Sequence, residues 1–296
     1  MNKKGFLLGI YNRLAIFALA GILLLLGCAQ KNNLHPTTDD GSWFFLNEKQ
    51  ANMGTYHTEH ARVFGQAIDG YNLFVLKGID RAQSHALDGG GYFIGLKADP
   101  PESPIGYELK LFGKSLLKPP RSSSYCSGST YTAFIEAMNL IFPNGAQRLD
   151  SLHYEALRMQ EPDGGRREDL VKFWGYWNAD GFGNHYALVQ YAKMGRRVHP
   201  NNARPGDFMN ISWKKGGGHS VIFLGWYKDA DGTAKVRYWS SQKRTNGMGD
   251  DMVPIDRIAE VCIVRLVHPE NIFAFDVNAP VNIHVPGDSI VFPATR

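Results

Sequence analysis

Cysteine is scarce: the 296-residue sequence holds three, at positions 28, 126 and 262, with no Cys-x-x-Cys spacing. A disulfide-dense scaffold and a structural zinc site are therefore not expected, and the one conceivable bridge, Cys126 to Cys262, would silence a reactive thiol. Basic runs are also missing. With Lys3, Lys4 and Arg13 set aside, the formal net charge falls from +4 to +1, and no Lys/Arg cluster remains to hold nucleic acid. No internal repeat is present, so a solenoid or propeller is not expected. The Asp88-Gly89-Gly90-Gly91 cluster lacks the Lys-Ser/Thr ending of a phosphate loop and reads as a tight turn. Asp229 and Asp231 open like a calcium loop without its later ligands and read as a hairpin turn. His57 and His60 have no third ligand nearby in sequence and read as a solvated helix face. No metal and no cofactor are expected.

What is present begins with an apolar run, Leu14 to Leu26, preceded by Lys3, Lys4 and Arg13. It is too short to span a bilayer as a relaxed helix and suits a signal peptide over residues 1–27. Its ending, Leu25-Leu26-Gly27-Cys28, resembles the lipobox of bacterial lipoproteins. That resemblance implies cleavage before Cys28 and lipid on the new N-terminal cysteine. The protein would then sit in the bacterial cell envelope, anchored to a membrane on its periplasmic or extracytoplasmic face. Residues 28–42 are polar and read as a tether, and folded sequence starts near Trp43.

Between 43 and 117 the pattern mixes helices (47–68 and 71–81) with strands (92–94 and 107–111), an N-terminal α/β extension. Helical patterns return at 147–160 and 166–177. Trp174, Tyr176 and Trp177 within the second fit either an aromatic platform for substrate or the buried face of a helix, with burial favoured. A helix is expected over 184–194, and strands from Phe208, over 219–227 and 234–242 as a hairpin, and over 261–267 and 283–292. Cys262 falls in the apolar run Val261 to Val264, where a thiol behaves as a small hydrophobe.

Cys126 is placed differently. Lys118 to Ser124 is rich in proline and serine, which suit a turn, and Thr130, Phe134, Met138 and Ile141 then recur at helical spacing. The cysteine thus opens a helix, where free amides and the helix dipole favour a thiolate. A base is offered by His219, which follows three glycines and heads the apolar strand 221–224. Cys126 would attack an amide carbonyl and His219 would carry the proton. Strand alternation places the end of the returning strand opposite His219. Gln242 is preferred as the third residue, with Ser240 as alternative and Asn246 as an outsider.

Cys126-Ser127-Gly128 opening a helix, Lys193-Met194-Gly195 ending one, the Arg204-Pro205-Gly206-Asp207 turn and His219 to Gly225 occur in the order seen in NlpC-type cysteine peptidases. The sequence resembles that family, papain-like cell-wall hydrolases related to the CHAP amidases, over about 120–245. The resemblance implies an α+β fold for 118–296. It would be a papain-like core with the Cys126 helix packed on a small antiparallel sheet curled into a half-barrel, followed by C-terminal strands. The Cys126 to His219 gap is longer than the family's and implies a helical insertion at about 145–182. The implied activity is hydrolysis of amide or peptide bonds, with peptidoglycan stem peptides as substrate and Tyr125, Trp174 and Trp177 as candidate contacts. Competing readings are a non-catalytic lipoprotein binding glycan, peptide or a partner protein, and an acyltransferase or deamidase using the same pair.

Overall fold

The computed structural model describes residues 39–66, 68–99, 104–117, 121–158, 173–174, 183–281 and 285–293. In chain order these form α1 (Glu48–Ala51), α2 (His60–Phe64), α3 (Asn72–Ser84), a hairpin of β1 (Leu109–Leu111) and β2 (Lys114–Leu117), α4 (Cys126–Ile141), α5 (Ser151–Ala156) and α6 (His185–Tyr191, with π-type winding). Six strands follow: β3 (Gly195–Val198), β4 (Phe208–Trp213), β5 (Gly218–Lys228), β6 (Ala234–Gln242), β7 (Gly247–Pro254) and β8 (Ile258–Leu266). The class is α+β, with two antiparallel sheets.

α4 organises the core. Its small residues Ala133 and Ala137 let α3 approach so closely that a Cβ on Gly78 would lie 2.5 Å from the Ala133 carbonyl oxygen. Phe134 and Met138 pack with Val75, Leu76 and Ile79 of α3 and with Ile222, Leu224 and Trp239 of the large sheet, all buried. On the opposite sheet face, alternate residues Val221, Phe223, Val236 and Tyr238 form a second cluster, closed by Trp43 and Phe292. The described residues of 43–117 therefore share one core with the rest, and the described residues fall in one unit.

The large sheet corrects the expected half-barrel and the papain-like core built on it. Its order is β3-β8-β4-β5-β6-β7, every neighbouring pair is antiparallel, and the edge strands β3 and β7 do not pair with each other. Closure would need those edges to meet through tilt and shear. Here the β7 edge is met by the N-terminal loops instead: Met248 N–H donates to Gly89 O at 2.8 Å and Asp250 N–H to Thr55 O at 2.9 Å. The edge is covered without curling the sheet.

Other expectations also shift. The helix expected over 47–68 is two short ones, α1 and α2, separated by loop. Among the described residues of 283–292 there is only the Asp288 bridge to Val261. Of the insertion expected at 145–182, α5 and the pair Phe173 and Trp174 are described; Trp177, like the signal segment and Cys28, lies outside the described residues.

Candidate functional site

His219 is the second residue of β5, 8 % exposed, and faces a cleft of about 450 Å³. The pairing of Ile222 with Trp239 and of Phe223 with Tyr238, carried back toward the strand ends, sets His219 opposite Gln242. The two side chains meet, with His219 Nε2 3.3 Å from Gln242 Oε1. The amide of Gln242 is held the right way round because its Nε2 donates to Thr245 Oγ1 at 2.7 Å and to Gly249 O at 3.2 Å. Its oxygen must therefore accept, so the histidine carries its proton on Nε2 and keeps Nδ1 as the basic nitrogen. Burial pulls the His219 pKa down to about 4, against a smaller upward pull from the Gln242 bond. The imidazole is neutral at physiological pH.

Cys126 opens α4 next to one wall of this cleft, since Tyr92, which lines the cleft, packs beside it. The first turn of α4 is fastened to the residues flanking the histidine pair: Thr130 Oγ1 lies 2.9 Å from Ser220 Oγ, and Ser241 N–H donates to Ser129 Oγ at 3.0 Å. Ser124 Oγ donates to Ser241 Oγ at 2.7 Å, just ahead of the helix. Ser240, the alternative third residue, donates to Ser220 O at 2.6 Å. Asn246 has a left-handed backbone (φ 45°) and makes the turn into β7.

Tyr125 supplies no side-chain cap to α4; it stacks on Tyr92 at 6.0 Å, and both pack beside Cys126. Burial and the adjacent Cys126 push the Tyr92 phenol up to about 12. Tyr238 is raised by burial; Arg244 and Arg257 oppose this and Cys126 adds to it, while the His219 ring packs edge-on to Tyr238 at 5.5 Å. Cys126 and His219 thus have Tyr238 as a common neighbour. Tyr238 could have been found from the alternation that groups it with Ser240 and Gln242; Tyr92, expected on a strand over 92–94, lies instead in a loop joined to Ser124 by a single bridge.

The two described cysteines differ in setting. Cys262 is fully buried in β8, and burial pushes its thiol up to about 12. Cys126 is also buried, at 2 % exposure, but it sits at the start of a helix instead of inside a strand. Brief iodoacetamide treatment of the native protein is expected to label Cys126 well before Cys262, read by peptide mass mapping. Equal protection of both would remove Cys126 from the site.

A second cluster is built around Asp250, midway along β7. His57, His60 and Asp250 each offer a ligand atom within 4.8 Å of the others. The expected solvated helix face is corrected here: His60 is fully buried, and its third partner comes from a strand distant in sequence. Its Nδ1 lies 2.8 Å from Asp80 Oδ1 and its Nε2 2.8 Å from Asp250 Oδ1. Asp250 Oδ2 also accepts from Arg237 Nη2 at 2.7 Å and Nε at 3.0 Å, with His57 Nε2 at 3.2 Å.

The residues fit a metal poorly. The two imidazoles stack at 4.1 Å with 23° between planes, so their lone pairs run side by side instead of converging. Imidazolium and guanidinium already balance the two carboxylates. Burial alone would lower the His60 pKa; the Asp250 charge and the hydrogen bonds to both carboxylates outweigh it and raise the value to about 9. This cluster holds α2, α3 and β7 together.

Trp174 is fully buried, stacked on Phe134 at 5.5 Å and edge-on to Phe208 at 5.7 Å. It is a core residue and not the exposed platform considered for substrate. No family model, curated protein or solved structure matches the chain.

Proposed function

We propose that the protein is a cysteine-dependent hydrolase of amide or peptide bonds, with Cys126 as nucleophile, His219 as base and Gln242 as the residue that orients the imidazole. The observation carrying this reading is the Gln242 bond to His219, with the first turn of the Cys126 helix tied to the residues beside both. The order of Cys126, the Pro205-Gly206-Asp207 turn and His219, which resembles that of NlpC-type peptidases, supports the same chemistry.

In this mechanism the Cys126 sulfur attacks the carbonyl carbon while its proton passes to His219 Nδ1. Negative charge gathers on the carbonyl oxygen, where amides at the start of α4 stabilise it. Collapse breaks the C–N bond, and His219 returns the proton to the leaving amine. Water, deprotonated by His219, then attacks the thioester and releases the acid and the thiol. Acyl transfer and deamidation differ from this scheme only in the acceptor or the leaving group.

Peptidoglycan stem peptides are the proposed substrate, from the family resemblance and from the lipobox at Cys28, which would hold the site between membrane and wall. The test is digestion of purified sacculi with product masses read out. Fragments that form with the wild type and not with Cys126→Ser are expected, and their absence across several wall types would overturn the wall substrate. In the same expression host, Cys28→Ser is expected to move the protein from the membrane to the soluble fraction; an unmodified, soluble wild type would end the anchoring proposal.

A further inference from the structure

The cleft that contains His219 continues into a second one of about 360 Å³, because Trp213 and Arg257 line both. The joined groove is cationic. Lys214, Lys215, Lys243, Arg244 and Arg257 border it against Asp251 and Asp256, a balance of +3. Arg244 is neutralised by its ion pair with Asp251. Arg257 is not: its guanidinium makes no ion pair among the described residues and lies over the Trp213 ring at 5.7 Å. Trp213 in turn stacks on the His219 ring at 6.3 Å with 29° between planes. The wall is held in place, since Lys214 N–H donates to Arg257 O at 3.0 Å. Arg257 is therefore a positioned cation, without an ion-pair partner among the described residues, with a planar fork of donors, the arrangement that recognises a carboxylate.

We infer that Arg257 is a specificity-determining residue that selects peptides carrying a carboxylate close to the bond presented to Cys126 and His219. The inference rests on the hydrolase reading for its orientation. The two contacts of Trp213 bound the separation of the His219 ring and the Arg257 guanidinium at about 12 Å, the span of roughly three to four extended residues. The selected side chain thus lies within a few residues of the scissile carbonyl. Tyr238 lines the same cleft as Arg257 and packs edge-on to the His219 ring at 5.5 Å, so the cationic end and the histidine share one wall.

The probes are acetyl-Ala-Glu-Ala-Glu-Ala-amide and its counterpart with glutamine in place of both glutamates. Binding is measured by tryptophan fluorescence on the full chain carrying Cys126→Ala, so that it reads the groove without turnover. The acidic peptide is expected to bind roughly two- to fivefold more tightly, the scale of one charge-assisted pair at an exposed site. Adding Arg257→Gln should erase that preference while the glutamine peptide keeps its affinity, and Arg257→Lys should restore part of it. Raising salt to about 1 M, where the screening length is about 3 Å, should shrink the preference in the Arg257 protein alone. Equal binding of the two peptides, a preference unchanged by Arg257→Gln, or no binding of either would overturn the inference. The hydrolase reading is judged separately with the Cys126 protein: a groove that prefers the acidic peptide, in a protein that cleaves no amide substrate, would leave the inference standing and remove the proposed chemistry.

Discussion

Cys126→Ala and His219→Ala are each expected to fold normally and to lose turnover on a cleaved peptide by at least about four orders of magnitude, the loss seen when a nucleophile or its base is removed. Both residues sit at element ends, so truncation opens little of the core. Gln242→Ala should cost less, roughly 10- to 100-fold, because the amide fixes the tautomer and angle of the imidazole without itself reacting. The pH profile separates this role from a structural one. Only neutral His219 can take the thiol proton, and its pKa is pulled down to about 4 by burial. The acid limb of kcat/KM should therefore fall near pH 4 and not near 6.5. Gln242→Glu places a carboxylate on the same ring nitrogen, which favours imidazolium and should move that limb upward. A wild-type limb near 6.5, or a limb indifferent to Gln242→Glu, would break the assignment of His219 and Gln242. Activity surviving in Cys126→Ala would break that of the nucleophile.

The part of the site built from local pattern was legible in the sequence. Cys126 opens a helix because the proline- and serine-rich stretch before it suits a turn while the residues after it repeat at helical spacing. The facing of His219 and Gln242 follows from two apolar strands joined by a short turn, where period-two alternation fixes which side chains meet. What escaped was decided by distant contacts. β7 contains Gly247-Met248-Gly249-Asp250-Asp251, which carries no strand signal; it is a strand because β6 pairs it on one side and the N-terminal loops hold it on the other. The open sheet escaped for the same reason, since closure depends on whether β3 and β7 meet, and no local pattern encodes that. His57 and His60 were seen as a pair, but the carboxylate that explains them lies on that unread strand.

His60→Ala is expected to lower stability by about 3–5 kcal/mol, the cost of removing one partner from a buried ion cluster, and so to lower Tm by roughly 10 °C for a chain of this size. Asp80 and Asp250 would lose the cation that lies between them, and α2 would lose its fastening to β7. The pH dependence has a definite sign. His60 titrates at about 9 in the folded protein, above its ordinary 6.5, so its contribution is complete below about 6.5 and is lost as pH rises through 9. His219 acts oppositely: with its folded value lowered to about 4, stability falls as pH drops from 6.5 toward 4. Wild-type Tm should therefore decline on both sides of near-neutral pH. His60→Ala should abolish the alkaline decline above pH 7 that this residue causes while leaving the acid side intact. Thermal melts of the two proteins across that range decide it. A chelator-treated wild type serves as the control, expected to melt unchanged because the charges of His60, Arg237, Asp80 and Asp250 balance among themselves. A Tm drop on chelation comparable to that of His60→Ala would overturn the ion-cluster reading and make His57, His60 and Asp250 metal ligands instead.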